Sequence, residues 1–288
     1  MPTVRNFLTV DVEEWFHVCG VGGMLARERW DTLPSRVEPT TDMVLALLER
    51  CRVTATFFVL GWVADRHPRV VERILAAGHE VASHGWRHQR AYELDTVAFT
   101  ADVRRARASL EAAGAPGPIG FRAPEWSINE RSLWALDVLV REGIRYDSSM
   151  TPLRLIGDPD YPRAPHVRET SEGPLLEVPP MVGRRFGQHY PLGGGWGLRM
   201  SRPATVLRQI DAHNRRGEPA TLFLHPWELD PDPPRVALPA ALRFSHYFRL
   251  SGYVGRLEHV LRGAEFGRID RWAAEERRLA TPAGRRES

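Results

Sequence analysis

Segments with strand-like and helix-like patterns alternate along almost the whole chain of 288 residues. Runs such as TATFFVL at residues 54–60 are typical of buried strands, and stretches with apolar residues at helical spacing follow them. Pro68 and Gly78 bracket one predicted helix, and Asp95 begins another that Gly114 ends. Repeated β–α units imply a parallel sheet with right-handed crossovers, so the sequence predicts the α/β class.

Capping residues predict the starts of two further helices. A separate pattern, the charge of the last residues, predicts where the domain ends. Thr40 or Thr41 is expected to cap a helix, and Asn129 is expected to cap another. The length is compatible with one large barrel, which we predict over residues 1–270 as a single domain. The charged segment 271–288 is expected to be a flexible tail.

Composition excludes several classes of protein. All 39 basic residues are arginine and most are scattered, so nucleic-acid binding is not expected. No run approaches the roughly 18 apolar residues of a transmembrane helix, and the first residues lack a signal-peptide pattern, so we expect a cytoplasmic protein. Cys19 and Cys51 have no metal or redox spacing and are expected to be inert thiols.

Polar residues recur at one point of the pattern, the carboxyl end of each predicted strand. They are Asp11, Glu13, His84, His88, Arg122, Asp147 and His225. In α/β sheets and barrels the carboxyl ends of the strands converge on one face, where ligands bind. The pattern therefore predicts one site.

Two acids and two histidines in this set indicate a metal site. Asp11 and Glu13 share one face of a strand about 6.5 to 7 Å apart, and unpaired carboxylates beside apolar residues would need a cation. His84 and His88 can meet one ion if SHGWRH turns once, and two histidines with one acid form a catalytic zinc set. A solvated strand end and a chance histidine pair are the alternatives. Glu14 points to the opposite face and is expected to be structural.

The other polar residues match acid–base roles. Arg122 can pair with an acid and hold it ionised, and His225, followed by Pro226, suits a general acid at a strand tip. Asp147 can orient His225 or bind Arg122. A salt bridge outside the chemistry and a satisfied buried histidine remain the alternatives.

The segments TVDVE, SHGWRH, FRAPEWS, YDSS and LHPWELD follow one another in this order. They resemble the five motif regions of the polysaccharide deacetylases, the family with the chitooligosaccharide deacetylase homology domain. The resemblance covers roughly residues 6–266 and is closest to the subgroup associated with exosortase-linked exopolysaccharide gene clusters. It implies an irregular (β/α) barrel with about seven parallel strands, a divalent metal ion and removal of acetyl groups from N-acetylglucosamine units.

The resemblance also implies residue roles. By their positions in the motifs, Asp11 resembles the family's general base and His225 its general acid. His84 and His88 resemble the metal ligands, and Arg122 resembles the residue that pairs with the base. The first motif departs from the family form with adjacent aspartates, because Val12 intervenes and Glu13 takes the place of the metal-binding acid. The third motif has Glu125 where an aromatic residue is frequent. Zinc is the expected ion, with cobalt, nickel and iron as alternatives.

Tryptophans flank these motifs. They are Trp15, Trp62, Trp86, Trp126, Trp196 and Trp227. We predict substrate contacts from Trp15, Trp86, Trp126 and Trp227, although tryptophan is often a core residue. The glycine-rich segment 193–197 is expected to be a flexible loop over the substrate.

Three other functions stay open at this point. They are hydrolysis of a small cyclic amide or ureide, a non-haem iron oxygenase with two histidines and one carboxylate, and a non-catalytic sugar-binding barrel. The expected partner is an N-acetylated glycan, lipid-linked or nascent, near membrane-associated polysaccharide synthesis machinery. The oligomeric state is left open.

Overall fold

A computed structural model describes residues 4–17, 25–154, 156–236 and 238–280. Cys19 lies outside these ranges, and Cys51 is a half-buried free thiol. The strands of the described residues are β1 (Asn6–Val12), β2 (Thr56–Val59), β3 (Glu80–Ser83), β4 (Gly120–Phe121), β5 (Tyr146–Asp147), β6 (His166–Thr170), β7 (Gly173–Glu177), β8 (Val182–Arg185), β9 (Gln188–Pro191), β10 (Thr221–Leu224) and β11 (Phe266–Gly267).

The α-helices of the same ranges alternate with these strands over much of the chain. They are α1 (Val37–Cys51), α2 (Gly61–Arg66), α3 (Pro68–Ala76), α4 (Thr96–Ala112), α5 (Trp134–Arg141), α6 (Gly195–Met200), α7 (Pro203–Asn214), α8 (Ala240–Tyr247), α9 (Tyr253–Gly263) and α10 (Ile269–Ala280). The predicted start of α3 at Pro68 is confirmed, and so is that of α4, where the Asp95 side chain accepts from the Ala98 N–H at 2.8 Å. None of the helices described has both the length and the apolar composition of a membrane crossing.

One curled sheet carries most of the strands, in the order β10–β1–β2–β3–β4–β5–β7–β6. Neighbours from β10 to β7 are parallel, β6 is antiparallel to β7, and β11 pairs in parallel with the start of β1. β8 and β9 form a separate hairpin. The predicted α/β class with about seven parallel strands is confirmed, as a half-barrel.

The glycine-rich segment lies against the free edge of β10. The Phe223 N–H donates to the Gly193 carbonyl at 2.8 Å, and the Met181 N–H donates to the Thr221 carbonyl at 2.9 Å. A Cβ on Gly194 would stand 2.4 Å from the Phe223 carbonyl oxygen, so only glycine allows this approach. The prediction of a flexible loop is therefore wrong for its first residues, which continue the sheet.

The start of α1 differs from the prediction. The helix begins at Val37, and neither Thr40 nor Thr41 caps it. The buried Glu14 carboxylate, just beyond β1, accepts hydrogen bonds from the backbone N–H groups of Arg36 at 3.0 Å and Val37 at 3.2 Å. A side chain distant in sequence therefore satisfies the first N–H groups of the helix.

The start of α5 also differs, because Asn129 forms a turn. Its side-chain oxygen accepts from the Arg131 N–H at 3.0 Å, and the regular helix begins only at Trp134. Local side-chain hydrogen bonds compete with the helix in this way.

The first part of the predicted tail, up to Ala280, lies in helix α10. Helix α10 crosses the predicted boundary at residue 271, Ile269 and Ala273 are buried, and the Trp272 ring lies 5.2 Å from that of Phe7. Residues 281–288 lie outside the described ranges. The physical reason is that the charged residues of this segment alternate with an apolar face.

Replacing Glu14 tests its role as the cap of α1. We expect Glu14→Ala to lower the free energy of unfolding by about 1–3 kcal/mol, because it leaves buried N–H groups without an acceptor. Urea denaturation measures the change. The matched control Glu38→Ala removes a carboxylate with 38% exposure from the same helix and should cost less than about 1 kcal/mol. Equal losses in both variants would contradict this role.

Candidate metal and catalytic site

The carboxyl ends of the strands bring most of the predicted polar residues to one pocket of about 240 Å³. Its lining includes Asp11, Glu13, His84, His88 and His225. These residues lie at or just beyond the carboxyl ends of β1, β3 and β10, which the sheet order brings into one half of the sheet. Five of the seven predicted residues therefore line one pocket. Arg122 lies beside Asp11, and Asp147 lies elsewhere.

Glu13, His84 and His88 form a cluster with metal-binding geometry. Each offers one ligand atom, and the three atoms lie within 4.8 Å of one another. His88 Nε2 is 2.8 Å from a Glu13 carboxylate oxygen. Two nitrogens and one oxygen are donors that zinc and related ions accept while keeping open positions. These residues fit a divalent cation.

The turn predicted within SHGWRH supplies this geometry. Gly85 has φ 72° and His88 has φ 50°, so the chain reverses twice in the left-handed region. A non-glycine residue there is strained, and such strain clusters at functional sites. The turn brings both imidazoles to the same acid.

Protonation states in the cluster match ligand roles. Burial lowers the pKa of His84 to about 4, so its ring is neutral near pH 7. Its Nδ1 lies 2.8 Å from the Arg122 carbonyl, which leaves Nε2 for a ligand. Burial raises the pKa of Glu13, but the charges of His88 and His225 outweigh burial and hold that pKa far below its usual value. The site thus offers neutral and anionic donors near neutral pH.

Arg122 is the partner of Asp11. Its guanidinium is fully buried and donates to the Asp11 carboxylate at 2.6 Å and to the Thr9 hydroxyl at 2.9 Å. The other nitrogens of the guanidinium donate to the Ser148 carbonyl at 3.0 Å and to the Ser148 hydroxyl at 2.8 Å. The guanidinium also lies 4.4 Å from the Trp126 ring centroid. These contacts hold Asp11 in one orientation as a carboxylate.

His225 lies between the two acids at the tip of β10. Its Nε2 is 3.9 Å from an Asp11 oxygen and 3.8 Å from a Glu13 oxygen. Burial lowers its pKa, but the carboxylates of Glu13, Glu228 and Asp11 outweigh burial and raise that pKa to about 9. The ring therefore carries a proton near pH 7.

Glu228 orients this ring, a role that the sequence did not predict. Its carboxylate accepts from the backbone N–H of His225 at 3.0 Å and lies 3.3 Å from the ring nitrogen Nδ1. The buried Arg199 guanidinium donates to the other carboxylate oxygen at 2.9 Å. An acid three residues after His225 in HPWE is a capping-box pattern, and that pattern would have revealed the contact.

The predicted contacts of Asp147 are wrong. Among the described residues it bonds neither His225 nor Arg122; its carboxylate accepts from the Ser149 hydroxyl at 2.6 Å, and its strand partner is the buried Glu177. Burial raises the pKa of Asp147 to about 6 and that of Glu177 well above its usual value. Two buried acids without a cation between them retain a proton. This pair supports the segment after β5 that carries Ser148.

The tryptophans divide into pocket and interior residues. Trp126 lines the pocket, and so does the exposed Trp196, which was not among the predicted contacts. Trp15 is buried and donates to the Pro34 carbonyl at 2.9 Å, and Trp86 donates to Asp65 at 2.9 Å. The predicted substrate contact is therefore wrong for Trp15 and Trp86, because their polar edges have partners in the interior.

Trp227 also lies outside the pocket lining, but it contacts the cluster. Its indole N–H donates to a Glu13 oxygen at 3.3 Å, and its ring stacks between His225 and His246. Trp227 therefore orients the acid of the metal cluster, which corrects the predicted substrate contact.

Glu125 and Trp126 form a strained pair beside the pocket. Both have positive φ, 57° and 55°, inside the short helix Pro124–Trp126. The Glu125 carboxylate pairs with Arg90, where the family more often has an aromatic residue. The Trp126 ring lies over the Arg122 guanidinium and lines the pocket.

Known families match both halves of the chain. Residues 29–143 match the model described as polysaccharide deacetylase, and residues 148–274 match a domain of unknown function, DUF3473. The first range holds His84, His88 and Arg122, and the second holds His225. Asp11 and Glu13 precede both ranges.

Curated relatives are similar over part of their length. Chitin deacetylase 1 of Saccharomyces cerevisiae is 28% identical over 149 residues, which cover 52% of this chain and 46% of the relative. A peptidoglycan-N-acetylglucosamine deacetylase of Bacillus cereus is 32% identical over a stretch that covers 32% of this chain and 44% of the relative. The chain spans less than half the length of these relatives.

Solved structures share the fold. A protein of Mycobacterium smegmatis, provisionally described as a polysaccharide deacetylase, has a TM-score of 0.63 at 20% identity and covers 100% of this chain and 96% of its own. One of Pseudomonas aeruginosa with a similar description has a TM-score of 0.60 at 17% identity, with 95% and 91% covered. The chain is therefore similar to the polysaccharide deacetylases in sequence over residues 29–143 and in fold over nearly its whole length.

Replacing Trp227 tests its contact with Glu13. We expect Trp227→Phe to weaken zinc affinity at least about tenfold, since partners of metal ligands typically contribute 10- to 100-fold. Competition with a chromophoric chelator measures the affinity. The matched control Trp134→Phe changes a tryptophan of α5 whose ring packs against Phe99, outside the cluster, and should leave the affinity unchanged. An equal effect in both variants would overturn this role.

The acid pair predicts a pH-dependent stability. Both pKa values are raised on folding, so the stabilisation is present at low pH and is lost as pH rises through about 6 and above. Between pH 5 and 8 we expect the wild type to lose up to about 1.4 kcal/mol per pH unit more than Glu177→Gln, which keeps a donor at every pH. Urea denaturation at several pH values measures this. Glu172→Gln, an exposed acid in the preceding turn, is the control, and parallel curves for wild type and Glu177→Gln would refute the shared proton.

Proposed function

We propose that this chain is a metal-dependent hydrolase that removes acetyl groups from N-acetylhexosamine units of a polysaccharide or its lipid-linked precursor, in exopolysaccharide biosynthesis. One observation carries the proposal. Asp11 with its Arg122 partner, the cluster of Glu13, His84 and His88, and the imidazole of His225 all meet at one pocket. A base, a metal site and an acid are the three functions that a metal-assisted hydrolysis of an amide uses.

The proposed metal ligands are Glu13, His84 and His88, and zinc is the ion that their chemistry favours. A divalent cation bound there would polarise an acetyl carbonyl, lower the pKa of adjacent water and counter the charge of Glu13. Asp11 accepts the proton of the attacking water, because Arg122 holds it as an oriented carboxylate.

His225 donates a proton to the sugar nitrogen as the carbon–nitrogen bond breaks. Its tip position, its proton and its contact with Glu228 support this role. The products are acetate and a free sugar amine. Glu228 and Arg199 act through His225 and are proposed as positioning residues.

Support for a glycan comes from the relatives and from the surface. The printed names of the relatives refer to chitin and to peptidoglycan N-acetylglucosamine, which are both N-acetylated glycans. The pocket has aromatic walls in Trp126 and Trp196 and adjoins an open cleft of about 660 Å³. An extended surface suits a polymer better than a small cyclic amide. Trp126 and Trp196 are the proposed substrate contacts.

The functional test measures acetate released from N-acetylglucosamine oligomers by the metal-reconstituted protein. We expect a chelator to abolish release and Asp11→Asn to lower kcat about 10²- to 10⁴-fold, the usual contribution of a general base, while zinc stays bound. The matched control Asp42→Asn changes an exposed aspartate of α1 and should keep full activity. Acetate release that survives the chelator would refute the metal dependence, and no acetate from any oligomer would refute this substrate class.

A further inference from the structure

Beyond the catalytic pocket the surface continues into two open clefts. The first cleft shares Glu125, Trp126 and Ile156 with the pocket. The second cleft, of about 670 Å³, shares Pro159 with the first. The three concavities therefore adjoin one another, and a chain-like ligand can extend from the pocket into both clefts.

The second cleft is rich in positive charge. Its lining includes Arg154, Arg163 and Arg184, together with His189, and Asp160 is the one acid of that lining among the described residues. We call it the arginine cleft. The three arginines are exposed, and within the described ranges none of them makes an ion pair.

The arginines of the first cleft have partners in the protein. Arg90 pairs with both Glu125 and Glu93, and the Arg131 guanidinium lies over the Tyr92 ring, 4.1 Å from its centroid. Arginine forks bind carboxylate and phosphate groups with two parallel hydrogen bonds. The arginine cleft thus presents donors whose complement is an oxyanion.

The β8–β9 hairpin connects this cleft directly to the catalytic pocket. Val182 pairs with Pro191 and both line the pocket, while Arg184 pairs with His189 and both line the arginine cleft. Residues two apart on a strand share one face and lie about 6.5 to 7 Å apart. One face of the hairpin therefore leads from the reacting group to the arginines.

The opposite wall connects the two sites in the same way. Thr151 and Leu153 line the pocket and Arg154 lines the arginine cleft. His189 Nδ1 lies 3.1 Å from the Pro152 carbonyl, so this wall contacts the hairpin. The distance from the pocket to the arginines is short on both sides.

We propose that the arginine cleft binds an oxyanion carried by the glycan, so that the preferred substrate is acidic. This inference rests on the proposed function and specifies its substrate class. The shared chemistry is a carboxylate or phosphate near the N-acetylated unit, and its source is a uronic acid in the polymer or the diphosphate of a lipid-linked precursor. A neutral chitin-like chain would leave the guanidinium groups without partners.

The test compares wild type with the double variant Arg154→Gln/Arg184→Gln. The probes are neutral N-acetylglucosamine oligomers, oligomers that alternate glucuronate with N-acetylglucosamine, and N-acetylglucosamine oligomers with a diphosphate at the reducing end. Calorimetry measures binding and acetate release measures KM and kcat. The control Arg69→Gln/Arg208→Gln removes the same charge from exposed sites on α3 and α7.

We expect wild type to bind one class of acidic oligomer about five- to tenfold more tightly than the neutral one at low salt, as two exposed ion pairs allow. The cleft variant should lose this preference with unchanged kcat on neutral oligomers, and the control should keep it. Preference for the uronate or for the diphosphate oligomer identifies the source of the oxyanion. Equal affinity for all three probes, or equal loss in the control, overturns the inference.

The two proposals fail separately. Acetate release from neutral oligomers without any preference for acidic ones would leave the deacetylase function and refute the acidic substrate. Arginine-dependent binding of an acidic oligomer without acetate release from any probe would support the arginine cleft and refute the proposed reaction.

Discussion

The buried guanidinium of Arg122 is the constraint on which the rest of the site depends. An isolated charge in the interior is very costly, so each of its donors needs a partner. Asp11, Thr9 and Ser148 supply them from β1 and from the segment after β5. The Arg122 carbonyl also meets His84 Nδ1. One residue thereby joins the predicted base to the predicted metal ligand.

Chain topology brings the two ends of the chain together around this pair. β1 lies between β2 and β10, although 208 residues separate the end of β1 at Val12 from the start of β10 at Thr221. His225 therefore faces both Asp11 and Glu13. The charge of Glu13 raises the pKa of the His225 ring, and the charges of His88 and His225 lower the pKa of Glu13.

Some interactions could not be predicted because they join distant parts of the chain. Glu14 caps α1 from the end of β1, and Glu177 shares a proton with Asp147 on a neighbouring strand. Nothing local in the sequence marks either contact. Trp15 shows the same limit for aromatic residues, since position beside a motif does not decide whether a ring faces the pocket or the core.

The sequence by itself determined the α/β class and the position of the polar residues at the carboxyl ends of the strands. It thereby determined that Asp11, Glu13, His84, His88 and His225 meet at the pocket. Strand alternation and the parallel topology are enough to bring carboxyl ends to one face. Only the tertiary structure decided the other partners: Glu177 in place of His225 or Arg122 beside Asp147, and Trp196 in place of Trp86 at the pocket. The physical reason is that direction and burial of a side chain depend on packing between elements, which no short segment encodes.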